Sequence, residues 1–336
     1  MRVRFGINFM PTAPPREVAS WAGEVERLGY DLLGISDSQS LCRDVYVTLA
    51  LCAASTERIR LGPRVITPLT RHPAVAASAA ATLEELAPGR TLVGIGSGDS
   101  AAYTLNLRPA PLAELREYAL TIRALLTTGA ATYHGAPARL TWTRAGIPLY
   151  LAASGPKTLR LAGEIADGVV IRTGILPEIV RDSIARVREG ARAAGRDPDA
   201  LDLWWWPDAN VAPSYREGVE AIKMSLAAAG NHLGRFTTEG KHVPPELVPR
   251  VKELGRRYAF TDHVRPGGAN GRLIEELGLL DYLADRFAAV GTAEQCVAKL
   301  ERAVEAGARQ FWISVHVDDK LRFLRDWATR VMPAFR

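Results

Sequence analysis

Eight short apolar runs, each separated from the next by a longer stretch, are the feature of this sequence that most restricts its fold. They span residues 3–9, 30–37, 59–67, 90–99, 147–153, 168–174, 201–211 and 311–317. The runs are typical of buried strands, whereas the stretches between them place apolar residues three and four positions apart, as amphipathic helices do. Strand followed by helix, eight times, predicts a (β/α)8 TIM barrel. A doubly wound open sheet is the alternative, because periodicity does not show whether a sheet closes.

The regular alternation stops after the seventh run. Residues 213–290 mix helical pieces with segments such as HLGRFTTEGKHVPPELVP, and the pattern resumes at VGTAEQ. This span is too long for a plain connection, so residues 1–336 are predicted to form a single barrel domain that carries 213–290 as an insertion. Loops after barrel strands surround the active face, which makes the insertion a candidate lid or substrate pocket. A packing or dimerisation appendage is the alternative.

Polar residues follow the strand-like runs, at positions that converge on one mouth if the sheet is a barrel. Asp37 and Asp99 are the candidate catalytic residues, because a carboxylate within hydrogen-bond reach of a substrate can orient it or exchange a proton with it. The other polar residues at these ends include Ser38, Arg64, Thr67, Ser97, Ser100, Ser154, Lys157, Arg172, Thr173, Asp208, Asn210, His316 and Asp318. A turn or a helix cap is the alternative for any one of them taken alone.

Two turns are candidate contacts for a cofactor. In GIGSGDS, Gly98 beside Ser97 permits a planar ligand to approach the backbone closely, although the spacing departs from the dinucleotide-binding pattern. In SGPKT, Ser154 and Gly155 precede a helix whose free amides can hold a phosphate, and Lys157 adds positive charge. Helix capping alone is the alternative for this second turn.

Composition excludes several classes of function. The net charge of +5 comes from dispersed arginines without a run of like charges, so no nucleic acid partner is expected. Cys42, Cys52 and Cys296 lack the spacing of metal ligands or of a disulfide framework, and no metal site is predicted. No apolar segment reaches the roughly 18 residues that span a bilayer, and the amino terminus does not read as a signal peptide. We therefore expect a soluble cytoplasmic protein without a membrane partner.

One long stretch, LGPRVITPLTRHPAVAASAAATLEELAPGRTLVGIGSGDSA, resembles bacterial-luciferase-like proteins. The segments GSGDS, LRPAPLAELREYA and ASGPKTLRLAGEIADGVV are similar to the methylenetetrahydromethanopterin reductase-like branch of that family. The similarity runs from Phe5 to about Val211 and resumes at VGTAEQ. The resemblance implies a TIM barrel, usually a homodimer, that binds F420 or FMN and acts on a small-molecule substrate.

The resemblance also implies roles for particular residues. The cofactor ring would lie over the ends of the third and fourth strands, beside a bulge whose non-prolyl cis peptide joins Arg64 to Val65. The cofactor phosphate would contact Ser154, Gly155, Lys157, Arg172, Thr173 and Gly174, with Lys157 and Arg172 supplying charge. Asp37 matches an acidic residue near the reactive carbon. Relatives often have a histidine at the next position, where this chain has Ser38, so a histidine-dependent proton transfer there is lost or moved elsewhere.

Three functions are compatible with these observations. The first is an oxidoreductase that transfers a hydride between F420 and a small organic substrate. The second is a monooxygenase that uses reduced FMN and oxygen, with a separate flavin reductase as electron donor. A flavin or F420 reductase is the expected protein partner. The third is a flavin-binding relative without turnover, suggested by Ser38 and Arg64.

Overall fold

The computed structural model describes residues 2–263, 265 and 267–336. Its strands are β1 (Arg4–Phe9), β2 (Leu32–Ile35), β3 (Arg60–Pro63), β4 (Val93–Ile95), β5 (Ala130–Tyr133), β6 (Ala136–Arg139), β7 (Leu149–Ala153), β8 (Gly168–Ile171), β9 (Asp202–Trp205), β10 (Asp208–Val211), β11 (Ala288–Gly291) and β12 (Gln310–Ser314). Parallel pairing runs in the order β3-β2-β1-β12-β9-β8-β7-β4. Two isolated parallel bridges, Leu61 with Thr91 and Ile66 with Ile95, join the two ends of this series. The predicted TIM barrel is therefore confirmed, and the open sheet is ruled out.

Helices follow the barrel strands and begin where the sequence supplies start signals. They are α1 (Pro15–Arg27), α2 (Val45–Ala54), α3 (Pro73–Leu86), α4 (Ser100–Tyr103), α5 (Leu112–Thr128), α6 (Pro156–Ile165), α7 (Pro177–Ala193), α8 (Tyr215–Gly234), α9 (Val248–Arg257), α10 (Ala269–Glu276), α11 (Leu280–Phe287), α12 (Ala293–Glu305) and α13 (Lys320–Arg330). Proline opens α1, α3, α6 and α7, where its missing N–H needs no partner. Asp44 caps α2 by accepting from the backbone N–H groups of Tyr46 and Val47.

Large side chains fill the barrel interior below the mouth. A buried cluster separate from the main core consists of Leu32, Leu92, Tyr150, Val170, Trp204 and Trp312. The rings of Trp204 and Trp312 meet edge to face, with centroids 6.0 Å apart. Trp205, the next residue along β9, packs in the outer core instead, because successive strand residues point to opposite faces. The interior is a packed core, so a ligand has room only above this layer.

Two features of the sheet do not follow the simple alternation. An antiparallel hairpin of β5 and β6 lies between α5 and β7. The seventh strand is divided into β9 and β10, and β10 pairs in parallel with β11 from the far end of the insertion. The eight strand-like runs thus account for the barrel, and β10 lies within the seventh of them. The strands β5, β6 and β11 consist largely of alanine and lack the large apolar side chains that mark the other runs.

The insertion after the seventh strand is confirmed and is mostly helical. It contains α8, α9, α10, α11 and short 3-10 helices at Pro245–Leu247 and Phe260–Asp262. Its predicted end, residue 290, falls within β11, and its role as a lid stays a prediction, as does the division of the chain at 213–290. Within the described ranges, no helix has both the length and the apolar character needed to cross a membrane.

Candidate functional site

A cavity with about 1130 Å³ of empty space opens at the carboxyl ends of the barrel strands. Eight of the site residues predicted from the sequence line it: Asp37, Arg64, Val65, Ser97, Gly98, Asp99, Ser154 and Arg172. The other four, Gly155, Lys157, Thr173 and Gly174, are not part of its lining. The convergence of strand-end residues on this mouth is the arrangement in which TIM barrels carry their active sites.

The peptide bond between Arg64 and Val65 is cis, as the resemblance implies. The Arg64 side chain turns into the barrel and is only 2% exposed. Its guanidinium donates to the Trp312 carbonyl and to Ser314 Oγ, and it lies 4.0 Å from the centroid of the Trp206 ring. Its Nε has no hydrogen-bond partner, and no carboxylate forms an ion pair with it among the described residues. Arg64 is thus a buried cation on the cavity wall without a counter-ion.

Arg172 lies on the same wall but is fully neutralised. Its guanidinium forms an ion pair with Asp208 at 2.8 Å, with both side chains no more than 4% exposed, and donates to the Trp206 carbonyl. The Ser225 hydroxyl donates to the other oxygen of Asp208. The family resemblance implies that Arg172 and Lys157 both contact the cofactor phosphate. That grouping stays a prediction: Arg172 lines the barrel mouth, whereas Lys157 is exposed and lies outside the cavity lining.

Asp37, at the end of β2, is held by a neighbouring cation. Its carboxylate pairs with Arg71, which also donates to Asp44 at 2.8 Å. Burial raises the pKa of Asp37, although Arg71 opposes the shift. Next to it, the hydroxyls of Ser38 and Ser100 are 2.6 Å apart. Asp37 therefore faces the cavity as a carboxyl group whose proton affinity is increased.

Asp99, which follows β4 by four residues and precedes α4, is paired with two residues of the insertion. His232 Nε2 lies 2.9 Å from Asp99 Oδ2, and Arg235 pairs with Asp99 Oδ1 while also donating to the Gly98 carbonyl. Burial alone would raise the pKa of Asp99, but Arg235 and His232 outweigh it and hold that pKa well below its ordinary value. Asp99 is consequently a carboxylate at neutral pH.

Three histidines line the cavity, and their pKa values are all lowered. Burial brings the pKa of His232 and of His316 to about 4, and it also lowers the pKa of His263. His263 Nδ1 lies 2.8 Å from the Tyr258 hydroxyl. All three imidazoles are therefore neutral at pH 7.

The turn before α6 is open at its amino end. Gly155 precedes Pro156 with no side chain capping the helix, and no acidic residue lies in the first turn. Lys157 is exposed in that turn. Nearby, the Nζ of Lys241 donates to three backbone carbonyls at the end of α8. Its hydrogen bonds are therefore already used within the protein. The free amides of α6 and Lys157 together fit an anion, as the sequence analysis expected of this turn.

Thr173 and Gly174 serve packing in this structure. The Thr173 hydroxyl lies 2.9 Å from Ser183 Oγ, and its carbonyl accepts from the buried Arg286 guanidinium. Gly174 has φ +123°, and a Cβ there would approach Arg286 Cγ to 2.8 Å. Neither residue lines the cavity. A ligand could therefore contact only the backbone atoms of Thr173 and Gly174.

Sequence reasoning missed several cavity residues because they come from the insertion or from the broken seventh strand. They are Trp206, Met224, Ser225, Ala228, His232 and Arg235. His232 lies in the last turn of α8, and Arg235, three positions later, follows the final helical residue in an extended conformation. Their position at the end of a long amphipathic stretch could have marked His232 and Arg235 as candidates. It could not show that both contact Asp99. Among the described residues, no group of three or more His, Cys, Asp or Glu side chains could hold a metal ion.

Comparison with known proteins assigns the family. A model of the family described as luciferase-like monooxygenase matches residues 3–310. The chain belongs to this luciferase-like family. The resemblance recognised from the sequence is confirmed.

The relatives of this luciferase-like protein include proteins with F420-dependent names. It is 35% identical to the F420-dependent glucose-6-phosphate dehydrogenase of Nakamurella multipartita, over 96% of this chain and 93% of the relative. It is 29% identical to the 5,10-methylenetetrahydromethanopterin reductase of Methanolobus tindarius, over 91% of this chain and 92% of the relative. The structure of the coenzyme F420 dependent tetrahydromethanopterin reductase from Methanopyrus kandleri has a TM-score of 0.80 and 25% identity, with full coverage of both chains.

Proposed function

We propose that this luciferase-like protein is an F420-dependent oxidoreductase that transfers a hydride between the cofactor and a small organic substrate. The observation that supports this most is the cavity at the barrel mouth of a chain whose full-length relatives bear F420-dependent names. The cavity lies at the carboxyl ends of the barrel strands, where TIM barrels bind their ligands. A deazaflavin, when bound, gives or takes a hydride at its central ring carbon.

The residues present fit such a ring. The Nε of Arg64 and the Nε1 of Trp206 are buried on the cavity wall and have no hydrogen-bond partner among the described residues. Carbonyl and ring-nitrogen acceptors, as a deazaflavin or a flavin carries, would satisfy donors of this kind. We propose that Arg64, Val65, Ser97 and Gly98 border the ring. In this arrangement the positive charge of Arg64 favours electron density on the ring.

We further propose that the cofactor phosphate lies at the start of α6. Ser154 lines the cavity, and Gly155 and Lys157 follow it in the open first turn, so a group leaving the cavity there meets free amides and a cation. The backbones of Thr173 and Gly174 remain proposed contacts, while the charge of Arg172 is already used by Asp208. Asp37 and Asp99 would orient the substrate at the mouth.

A monooxygenase that uses FMN is the second candidate, and the description of the matching family favours it. It would need reduced flavin from a separate reductase. Homodimerisation and a cytoplasmic location also stay predictions for either candidate.

Fluorescence titration of the purified protein with F420 and with FMN separates these functions. We expect F420 to bind at micromolar concentration or tighter, with FMN much weaker, and the bound deazaflavin to be reduced or oxidised by a substrate without oxygen. Preferential binding of FMN and oxygen-dependent turnover would support the monooxygenase instead. Failure to bind either cofactor would overturn both and favour a relative without turnover.

A further inference from the structure

A second large groove lies at the opposite end of the barrel from the mouth. It is lined by the first residues of several barrel strands, by one face of α7 and by the loop after α12, and it holds about 1970 Å³ of empty space. Its lining shares no residue with that of the mouth cavity. A ligand in this groove would therefore not compete with the proposed cofactor.

The groove concentrates positive charge. Its arginines are Arg4, Arg60, Arg181, Arg188, Arg192 and Arg309, and its carboxylates are Asp167, Asp199 and Asp202. Six arginines against three aspartates leave an excess of three positive charges, whereas the whole chain carries +5. The charge that is dispersed along the sequence is thus gathered in one place by the fold.

Half of these arginines are balanced by carboxylates of the groove. Asp202 pairs with both Arg4 and Arg60, at the amino ends of the strands. Asp199 pairs with Arg188 at 2.6 Å. These pairs account for two of the three aspartates.

The other three arginines have no such partner. Asp167 is already paired with two arginines outside the lining. Arg181, Arg192 and Arg309 form no ion pair with any carboxylate that the structure describes. The Arg309 guanidinium donates to neutral backbone carbonyls near the end of α12, which leaves its charge unbalanced.

One face of α7 carries cations along its length. Arg181, Arg188 and Arg192 are seven and four positions apart, which places them on the same side of the helix. At a rise of about 1.5 Å per residue, Arg181 and Arg192 are about 16 Å apart along the helix axis. Ile184 and Ala185 lie between them and also line the groove. The helix therefore presents guanidinium groups separated by apolar surface.

Helix dipoles explain only part of this arrangement. Arg192 lies in the last turn of α7, and Arg309 follows the end of α12, where a cation is favourable. Arg181 lies in the first half of α7, where the dipole gives it no such advantage. Cations of like sign around one groove repel each other, and a multiply charged anion in the groove would remove that repulsion.

We propose that this groove binds a nucleotide, through a di- or triphosphate group held by Arg181, Arg192 and Arg309. Guanidinium groups bind phosphate oxygens through paired, charge-assisted hydrogen bonds. Half-buried apolar residues of the same groove supply a surface for the organic part of the ligand; they are Ile184, Pro198, Leu201 and Leu203. Arginines that grip anionic groups beside an apolar wall select a ligand with both characters.

Calorimetric titration of the cofactor-free full chain tests the binding chemistry. The ligands are ATP, inorganic tripolyphosphate and adenosine, in about 0.15 M salt without divalent cations. We expect one ATP to bind per chain, tripolyphosphate to bind more weakly and adenosine to show no measurable binding. Comparable affinities for ATP and tripolyphosphate would support the phosphate contacts and overturn the nucleoside part of the proposal.

Two double variants test the arginines. Arg181→Gln with Arg192→Gln should weaken ATP binding by about ten-fold or more. The melting temperature of the ligand-free protein should not change, because both side chains are exposed and donate no hydrogen bond to a described residue. Arg216→Gln with Arg250→Gln is the matched control, since it removes two exposed arginines outside the groove. Equal losses in both variants would reduce the effect to net charge and overturn the proposal.

Neighbouring tryptophans show where the ligand binds. Trp205 lines the groove and Trp206 lines the mouth cavity, and neither Nε1 has a hydrogen-bond partner among the described residues. In nitrogen-15 NMR of the tryptophan-labelled chain, ATP should shift the Nε1–H signal of Trp205 and leave that of Trp206 in place. Each signal is assigned by its loss in the corresponding Trp→Phe variant.

The remaining outcomes contradict the proposal. Absence of binding by both ATP and tripolyphosphate overturns it and leaves the proposed F420-dependent function standing. Lys157→Ala should leave ATP binding within about two-fold of the parent, because Lys157 lies outside this groove. Loss of ATP binding in Lys157→Ala, or a shift of the Trp206 signal alone, would place the nucleotide at the mouth and overturn the second site.

Discussion

At the scale of single residues, two arginines on one cavity wall differ in how their charge is balanced. Arg172 is paired with Asp208, and both are buried. Arg64 is as deeply buried but has no carboxylate partner; burial and the neighbouring Arg172 hold its pKa well below the ordinary value. A buried charge without a partner is costly. Of the Arg64 guanidinium, only Nε lacks a hydrogen-bond partner among the described residues, whereas the charge of Arg172 is balanced by Asp208.

Replacing Arg172 by Ala should accordingly weaken the fold itself. The change leaves Asp208 as an uncompensated buried charge, and we expect the free energy of unfolding to fall by about 3–5 kcal/mol. Urea denaturation of the cofactor-free protein measures it. The double variant Arg172→Met with Asp208→Leu removes both charges and should recover most of the loss. A single variant as stable as the parent would show that the pair contributes nothing to folding.

At the scale of elements, the start of α6 is the candidate anion site. Its first turn has no side-chain cap and no acidic residue, and Lys157 is the cation there. By contrast, α2 is capped by Asp44 and α12 by Thr292, so their first-turn amides already have partners. The difference in capping is what makes the start of α6 available to a phosphate.

Substituting Lys157 by Ala should weaken F420 binding by about ten-fold, the equivalent of one charge-assisted hydrogen bond of about 1.5 kcal/mol. The melting temperature of the cofactor-free protein should not change, because Lys157 is exposed. Titration of F420 and of its phosphate-free core measures the effect, which should appear only with F420. Lys252→Ala, an exposed lysine of α9, makes the same change of charge as a control. Equal losses with both ligands would exclude a phosphate role.

At the scale of the whole molecule, the insertion and the barrel enclose imidazoles that stay neutral at neutral pH. His232 and His263 come from the insertion, and His316 follows β12. Their pKa values are lowered in the folded protein, whereas an unfolded chain restores the ordinary value of 6.5. Below that pH the unfolded state binds more protons than the folded state. Acid therefore favours unfolding.

Stability should fall as the pH is lowered from about 6.5 to about 4, by up to about 1.4 kcal/mol per pH unit for each buried histidine. The loss ends once the pH passes the folded pKa of about 4 for His232 and His316. Urea denaturation at a series of pH values measures the slope. His316→Gln should reduce it, and His134→Asn, at the surface, should not. A stability that stays constant between pH 7 and pH 5 would contradict the burial of neutral imidazoles.

The order of elements and the location of the mouth could be predicted from the sequence. Periods of two and of about 3.6 residues are local properties, so eight strand-helix units were visible in the chain. The polar residues that end those strands, such as Asp37, Asp99 and Ser154, could be placed at one mouth because closure of a parallel barrel brings strand ends together. The position of the cis peptide at Arg64 came from the family resemblance.

Only the tertiary structure decided which of these residues are partners. Arg172 is paired with Asp208 across two strands, and Asp99 is paired with His232 across 133 positions of the chain. The first contact depends on the break between β9 and β10, and the second on how the insertion packs over the barrel. No local period encodes either arrangement. The protonation states follow the same rule, because burial and the nearest charges set them. The chemistry available at the mouth was therefore decided by contacts between segments distant in the sequence.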